Sequence, residues 1–357
     1  MEQIFSMLYK RILRPLMFLL PAEKAHYMSL NLFSAVLKIP GISRLLKSIY
    51  RPRPNPHLQK KLMGLNFKNP IGLAAGFDKD GRYYRALGEL GFGFVELGTV
   101  TPKPQKGNPQ PRLFRVRKDK AIINRMGFNN QGAEALRERL ESGHRGPLII
   151  GGNIGKNKVT PNENAVDDYL KGMELLHPVV DYFTINMSSP NTPNLRDLQD
   201  KEPLKKILGA LLKFNKSTGN PKPVLLKIAP DLSEGQIDDI IEIVKELKLD
   251  GVVATNTTVA RSGLRTGEGV IENIGAGGLS GAPLTDRSRQ VVSYLRRNLG
   301  SDCVIIGVGG IMSPEDAVKM LDSGADLIQL YSGLIYYGPS LVKDICHSLD
   351  GKESVLD

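Results

Sequence analysis

The sequence has no tryptophan and only two cysteines, Cys303 and Cys346, among its 357 residues. Two cysteines cannot build a disulfide framework or a thiolate metal site, and their scarcity favours a reducing, cytoplasmic environment. Cys303 opens an apolar run and is interpreted as a packed strand residue. The five histidines do not form a group, so no metal site is expected, and a Ser-His-Asp hydrolase has little support.

Long uncharged apolar runs are also missing, although a membrane-spanning helix needs about 18 or more apolar residues. No small-residue cleavage site follows an apolar stretch, so a secretory signal is not expected, and a mitochondrial presequence would be longer and richer in serine. Acidic residues are scarce at the start of the chain. Residues 1–53 hold nine Lys or Arg and two Glu, and so contribute +7 of the net charge of +11. The remainder is only mildly basic, which argues against a nucleic-acid groove across the protein.

The first 53 residues are predicted to form a separate helical module. Apolar residues dominate positions 4–20 and Ala25–Leu37, with Pro21 between the two stretches, which indicates two short helices. Apolar helices with a basic rim suit an anionic membrane surface. A helical pair packed on the rest of the protein, with solvated lysines, is the alternative. Arg51–Pro56 reads as a stiff linker, so the predicted domains are 1–53 and 54–357.

From residue 70 the chain alternates short apolar runs with helix-like segments, which indicates an α/β protein. Eight strand–helix units over about 280 residues favour a (β/α)8 TIM barrel. A doubly wound sheet is the alternative, but the Gly-x-Gly-x-x-Gly turn expected of it is missing. The predicted strands are Ile71–Ala75, Phe92–Leu97, Leu148–Gly152, Tyr182–Ile185, Val224–Ile228, Gly251–Thr255, Val304–Val308 and Leu327–Tyr331. The predicted helices are Gly81–Leu90, Glu163–Leu176, Pro203–Phe214, Ser233–Leu247, Asp286–Leu299, Pro314–Ser323 and Pro339–Leu349.

Two segments interrupt this alternation. Lys61–Asn69 has the pattern of a hairpin before the first barrel strand. Thr101–Asn130 contains a second pair of strand-like runs, Leu113–Val116 and Ala121–Ile123. We expect these additions to cover the barrel.

Polar or glycine residues end every predicted strand, where the active sites of barrel enzymes lie. Asn186–Thr192 alone could be an Asx-type turn, or it could present amides and hydroxyls to a planar ligand with N–H and C=O groups. The strand ends carry Ala75–Lys79, Gly98-Thr99, Asn153, Asn186–Thr192, Lys227, Thr255–Thr257, Gly309-Gly310 and Tyr331-Ser332.

Lys227 lies inside an apolar strand, where a lysine must be paired or neutral. It could form a Schiff base, face an electron-rich ring, or extend to solvent from a strand edge. Gly309-Gly310 and Tyr331-Ser332 match the phosphate position of such barrels, and Gly277–Gly281 adds open backbone N–H groups. A cofactor that carries a phosphate is therefore predicted.

Seven motifs of this chain are Ala74–Lys79, Asn124–Phe128, Asn186–Thr192, Leu226–Asp231, Thr255–Thr258, Gly277–Gly281 and Gly307–Ile311. Together they resemble those of the dihydroorotate dehydrogenase family from about residue 60 to 340. The segment Glu23–His26 within the basic N-terminal module resembles the membrane-associated, quinone-reducing class 2, although Pro21-Ala22 replaces the usual Asp-Pro. Ser189 supports that class, because soluble class 1 enzymes carry a cysteine as the base.

The resemblance implies FMN as cofactor, dihydroorotate as substrate and Ser189 as the catalytic base. Serine alone is a poor base and needs a relay, and our hypothesis for that relay is Thr192 with a trapped water. The implied FMN residues are Ala75, Gly76, Lys79, Thr99, Asn153, Asn186, Lys227, Thr255, Gly281, Gly310, Tyr331 and Ser332. The implied substrate residues are Lys79, Asn124, Arg125, Met126, Gly127, Phe128, Asn186, Asn191, Asn256 and Thr257.

The resemblance also implies a membrane quinone that enters between the N-terminal helices along His26, Arg115 and Tyr331. A monomer attached peripherally to the cytoplasmic face of the cell membrane is expected, without nucleic acid as a partner. Two alternatives remain: a class 1-like enzyme with a soluble acceptor, and a peripheral membrane or nucleic-acid binding protein whose barrel is only a scaffold.

Overall fold

The computed structural model describes residues 6–143 and 145–353. Eight parallel strands close into a barrel in which each strand pairs with its neighbours in chain order and the last pairs with the first. This confirms the predicted TIM barrel. The barrel strands are β3 (Ile71–Leu73), β4 (Phe94–Val100), β7 (Ile149–Ile154), β8 (Tyr182–Asn186), β9 (Val224–Ile228), β10 (Gly251–Ala254), β12 (Val304–Val308) and β13 (Leu327–Leu330).

Helices cover the outside of the barrel, so its strands are buried on both faces and read as continuous apolar runs. The Ser233 side chain accepts a hydrogen bond from the Gln236 N–H, and the Gln236 side chain accepts one from the Ser233 N–H, which caps the helix that begins at Glu234. The helices are α4 (Tyr84–Gly88), α5 (Ala133–Glu141), α6 (Ala165–Leu176), α7 (Lys201–Ser217), α8 (Glu234–Leu247), α9 (Glu268–Ile274), α10 (Thr285–Leu299), α11 (Pro314–Asp322), α12 (Ser332–Tyr337) and α13 (Leu341–Glu353).

Five further strands lie outside the barrel. The predicted hairpin is β1 (Lys60–Leu62) and β2 (Leu65–Phe67), whose apolar side chains pack against residues at the amino ends of the barrel strands. The second predicted pair is β5 (Leu113–Val116) and β6 (Ala121–Asn124). A third strand that the sequence analysis missed, β11 (Gly278–Gly281), pairs with β6.

In the described part of the N-terminal module, helices α1 (Arg14–Leu19), α2 (Ala22–Val36) and α3 (Ile42–Tyr50) follow a π-helical turn at Tyr9–Leu13. Only two helices are predicted from the sequence, because Pro40-Gly41 indicates a turn and the amphipathic segment of α3 that follows it is short. Among the described residues, none of these helices has the length and apolar character to cross a bilayer.

The module is fastened to the barrel domain by specific contacts. The Tyr9 hydroxyl donates to the Ile335 carbonyl over 2.7 Å, and Arg112 pairs with Glu23 over 2.7 Å. Phe18 packs edge-to-face against Tyr336, with ring centroids 5.5 Å apart. The helices are therefore held in place on the barrel.

Candidate active site

A cleft opens at the carboxyl ends of the barrel strands and encloses about 1000 Å³ of space, including its open mouth. Strand ends form its floor, and the sheet of β5, β6 and β11 forms one wall. The side chains or backbones of all residues predicted for catalysis, cofactor and substrate line this cleft, except Asn153 and Arg125. The fold therefore brings together groups that are more than 200 residues apart in the chain.

Asn153 lies one layer below the cleft and is fully buried in β7. Its Nδ2 donates to Glu96 Oε1 over 2.7 Å. Its Oδ1 accepts from the Thr99 hydroxyl and, over 3.3 Å, from Asn186 Nδ2. Asn153 thus supports two cleft-lining side chains from beneath.

Lys227 is buried in β9, so the interpretation as a lysine that extends from a strand edge to solvent is wrong. Its Nζ lies 4.0 Å from Glu96 Oε1. Burial lowers the pKa of Lys227, and the Glu96 charge opposes that shift. The structure therefore places a cation with a buried partner at the floor of the cleft.

Ser189 lies in the loop after β8 and is almost fully buried in the cleft wall. Its Oγ accepts a hydrogen bond from the Asn191 N–H over 3.3 Å, which leaves the hydroxyl proton of Ser189 available for transfer. Three residues further on, the Thr192 Oγ1 is buried and has no hydrogen-bond partner within residues 6–143 and 145–353. Such an unpaired hydroxyl suits a water or ligand partner.

Amide side chains converge on the cleft from three elements. Asn191 Nδ2 donates to Asn124 Oδ1 over 2.9 Å and so ties the loop after β8 to β6. Asn256 Nδ2 donates to Ser188 Oγ over 2.9 Å and to Asn186 Oδ1 over 3.3 Å. These contacts hold the amides in place in the cleft without a ligand.

The Arg125 side chain points away from the cleft. Its Nη1 donates to the carbonyls of Ile274 and Ala276, and its guanidinium lies 4.5 Å from the centre of the Phe114 ring. Arg125 is not among the residues that line the cleft, and its predicted role in substrate binding stays a prediction.

Lys79 lies between the cleft and a second, smaller cavity under helix α2, which we call the helix-side cavity. Burial, reinforced by the positive charge of Arg112, lowers the pKa of Lys79 to about 7. Its Nζ donates to Asn129 Oδ1. The two cavities share Gly76, Met126 and Tyr331 as well as Lys79.

The helix-side cavity holds two of the three residues predicted for a quinone path. His26 and Tyr331 line it, and both rings pack edge-to-face on Phe77, at 5.0 and 5.3 Å. Burial lowers the pKa of His26 to about 4, so its ring is neutral at physiological pH. Arg115 is not among the lining residues, because its guanidinium donates to the carbonyls of Met17, Phe18 and Leu20.

At the far end of the cleft, bare backbone replaces side chains. Gly310 has a positive φ of 71°, and a Cβ there would lie 2.3 Å from the Thr285 nitrogen. A Cβ on Gly281 would lie 2.4 Å from the Lys120 carbonyl oxygen. The Ser332 hydroxyl lies 2.9 Å from that of Ser280. This arrangement of close backbone and hydroxyls suits a phosphate group.

Three polar residues at this site were not predicted from the sequence. Glu96 is an acid inside an apolar strand, a signal as strong as that of Lys227. Gln329 is likewise a polar residue inside the apolar last barrel strand. Arg196 carries no such signal, because only the fold brings it to the carbonyls of Ser188 and Thr257, each over 3.1 Å.

Comparison with known proteins places this site in a family. The family model described as dihydroorotate dehydrogenase matches residues 57–352. A protein of Christiangramia forsetii named dihydroorotate dehydrogenase (quinone) is 55% identical over 339 residues, which cover 95% of this chain and 97% of the relative. The protein of the same name from Thermobifida fusca is 49% identical and covers 93% of this chain and 89% of its own length.

A solved structure gives the same result. The DHODH of Eimeria tenella in complex with ferulenol superposes with a TM-score of 0.82 at 36% identity, covering 94% of this chain and 92% of the other. Fold, site and sequence agree, and the chain belongs to the dihydroorotate dehydrogenase family.

Proposed function

We propose that this protein oxidises dihydroorotate to orotate in pyrimidine biosynthesis, with FMN as cofactor and a membrane quinone as final electron acceptor. The relatives' names support the reaction and the acceptor. The observation that carries the proposal is a single cleft with a buried lysine, convergent amides and a buried serine, which shares a wall with the helix-side cavity.

The cleft fits FMN on the chemistry of its own groups. Gly281, Gly310 and Ser332 line the cleft, where backbone N–H groups and a hydroxyl would bind the phosphate. Lys227 supplies a donor on the floor for the ring system, and Thr99 and Asn186 line the floor beside it. The chemistry that FMN supplies when bound is the acceptance of a hydride from the substrate. The remaining proposed FMN residues are Ala75, Gly76, Lys79, Asn153, Thr255 and Tyr331.

The substrate's carboxylate and amide groups match the other wall. Lys79 provides the positive charge for the carboxylate, and Asn124, Asn191 and Asn256 match N–H and C=O edges of a pyrimidine ring. The cleft lining also supplies the proposed contacts of Met126, Gly127, Phe128 and Thr257. These groups hold the ring, while the buried walls exclude water.

Ser189 is proposed to take the proton from substrate carbon C5 as the hydride leaves C6. A serine hydroxyl is a weak base and needs a second acceptor for its proton. Thr192, with its buried unpartnered Oγ1, is in the same loop and would pass the proton on through a water. Lys227 would balance negative charge that develops at the floor of the cleft.

The N-terminal module, residues 1–53, is proposed as the quinone entrance and membrane contact of a 54–357 barrel domain. Leu16, Leu19 and Leu32 expose 52%, 78% and 61% of their surface, and basic residues flank them. An apolar face with a basic rim suits an anionic bilayer. We propose peripheral attachment, as a monomer, at the cytoplasmic face of the cell membrane.

The test is anaerobic reduction of the purified yellow protein by dihydroorotate, followed by reoxidation with a panel of acceptors. We expect bleaching of the flavin absorbance by dihydroorotate and rapid reoxidation by a quinone. Fast reoxidation by a soluble acceptor and not by quinone would instead favour a class 1-like enzyme. A colourless protein that ignores dihydroorotate would refute the proposal.

A further inference from the structure

Glu96 is fully buried in β4, in the barrel interior directly below the cleft. Its Oε1 accepts from Asn153 Nδ2 over 2.7 Å. Its Oε2 accepts from Gln329 Nε2 over 2.7 Å, from the Thr184 hydroxyl over 3.1 Å and from the Tyr182 hydroxyl over 3.3 Å. Four donors and the nearby Lys227 ammonium satisfy the charge, as a buried carboxylate requires.

A carboxylate can only accept hydrogen bonds, so Glu96 dictates how its amide neighbours are oriented. Asn153 must turn its NH₂ group down towards Glu96, which leaves Oδ1 to accept from Thr99 and Asn186 above it. Asn186 in turn keeps its Oδ1 for Ser188 and Asn256. The direction of one hydrogen bond is thus passed on to groups that line the cleft.

Gln329 is oriented by the same rule. Its Nε2 is committed to Glu96, and its buried Oε1 has no hydrogen-bond partner in the described part of the chain. Gln329 lines the cleft, so the group left over is an acceptor that a bound N–H donor would satisfy. The orientation of Asn and Gln amides follows from the hydrogen-bond network, and here the Glu96 carboxylate sets the direction of that network.

We propose that Glu96 is a positioning residue that fixes the donor–acceptor direction of the network under the cleft and balances the charge of Lys227. The inference rests on the proposed function, because Asn153, Asn186, Thr99 and Lys227 are proposed FMN residues. Glu96 itself does not line the cleft and acts through them.

Glu96→Gln is the informative change, because it keeps the shape of the side chain and replaces one acceptor oxygen with an NH₂ donor. Asn153 binds one oxygen of Glu96 and Gln329 binds the other. Whichever way the new carboxamide lies, its NH₂ faces the NH₂ of one of these two amides. That amide must turn over, and the direction of the network above it reverses. Glu96→Asp keeps both acceptor oxygens and should retain the direction.

The experiment measures FMN release from purified holoprotein on dilution, by flavin fluorescence, and the flavin midpoint potential. For Glu96→Gln we expect FMN affinity to fall about 10- to 100-fold, since an unmatched buried amide is left. We also expect a higher midpoint potential, since a negative charge near the flavin is lost. Glu96→Asp should lie much closer to the wild type in both measurements.

Asp181→Asn is the matched control. Asp181 accepts from the Ile150 N–H and from Arg145 at the amino end of β8, the end of the barrel opposite the cleft. It should lower the thermal midpoint without changing FMN affinity or potential. Equal FMN affinity and potential in Glu96→Gln and wild type would overturn the inference, as would an equal loss in Asp181→Asn.

Gln329→Leu keeps the inference testable if Glu96→Gln does not fold. It removes the acceptor that Glu96 orients, so we expect FMN affinity to fall about tenfold. Unchanged FMN affinity and potential in this variant would also contradict the inference. Failure of the proposed function is distinguishable, because the wild-type protein would then retain no FMN.

Discussion

Replacement of Ser189 should separate ligand binding from the rate of flavin reduction. Ser189→Ala removes one oxygen from a wall that other residues also form, so FMN and substrate should still bind. Flavin reduction by dihydroorotate should slow by about 10²–10⁴-fold, the usual cost of losing a positioned base. Stopped-flow absorbance under anaerobic conditions measures this rate.

Ser189→Cys provides the companion measurement. A thiolate forms at lower pH than an alkoxide, so the cysteine variant should recover part of the lost rate as pH rises. Near-normal reduction rates in Ser189→Ala across the pH range would remove Ser189 from the role of base.

The lowered pKa of Lys79 predicts that orotate binding depends on pH. Burial lowers its pKa to about 7, so it is charged below that pH and increasingly neutral above it. Orotate affinity should therefore fall with rising pH, about tenfold per unit above pH 7, until the higher pKa of the occupied site is reached. Titrations of flavin absorbance with orotate from pH 7 to 9 measure it.

Two buried groups near Lys79 have pKa values below that window. The pKa of His26 is about 4 and that of Asp78 is about 6, both because of burial. Lys79→Gln should bind orotate weakly at every pH, without the slope. A slope that persists in this variant would assign the titration to another group.

At the scale of elements, one arginine joins two of the loops that form the substrate wall. Arg196 donates to the Ser188 carbonyl after β8, to the Thr257 carbonyl after β10, and to Asp231 over 2.9 Å. Arg196→Lys keeps the charge but cannot reach three acceptors. We expect at least a tenfold slower flavin reduction with unchanged FMN content, and about 1–2 kcal/mol lower stability.

Arg145→Lys is the control for this prediction. Arg145 also binds an aspartate and a carbonyl, Asp181 and Val179, but at the opposite end of the barrel. It should lose similar stability and keep its reduction rate. Equal rate losses in both variants would mean that Arg196 is merely structural.

The sequence predicts elements well where one pattern dominates. Barrel strands such as Val224–Ile228 are continuous apolar runs because helices cover them, and this pattern is visible in a single sequence. Strand β11 was missed because Gly278–Gly281 has no strand pattern of its own and is extended by pairing with β6. Glu96 and Arg196 likewise acquire their partners only from the closed barrel.

At the scale of the whole molecule, the N-terminal module is part of the site's support. Phe18 packs in one cluster with Ile122, Met312 and Tyr336, and Met312 also lines the cleft. Removal of residues 1–50 would expose this cluster as well as remove the proposed quinone entrance. A truncated protein would therefore mix two effects that surface substitutions can separate.

The separating variant is Leu16→Gln, Leu19→Gln and Leu32→Gln in one chain. These side chains are largely exposed, so the fold and flavin reduction by dihydroorotate should be unchanged. Loss of their apolar surface should weaken binding to anionic vesicles by tenfold or more, and reoxidation by a long-chain quinone should fall with it. Reoxidation by a small soluble dye should not change.

Val159→Gln with Val270→Gln is the control, because these valines are 87% and 55% exposed outside the module. Vesicle sedimentation and stopped-flow reoxidation measure both effects, and equal behaviour of the two variants would exclude the module as the membrane contact.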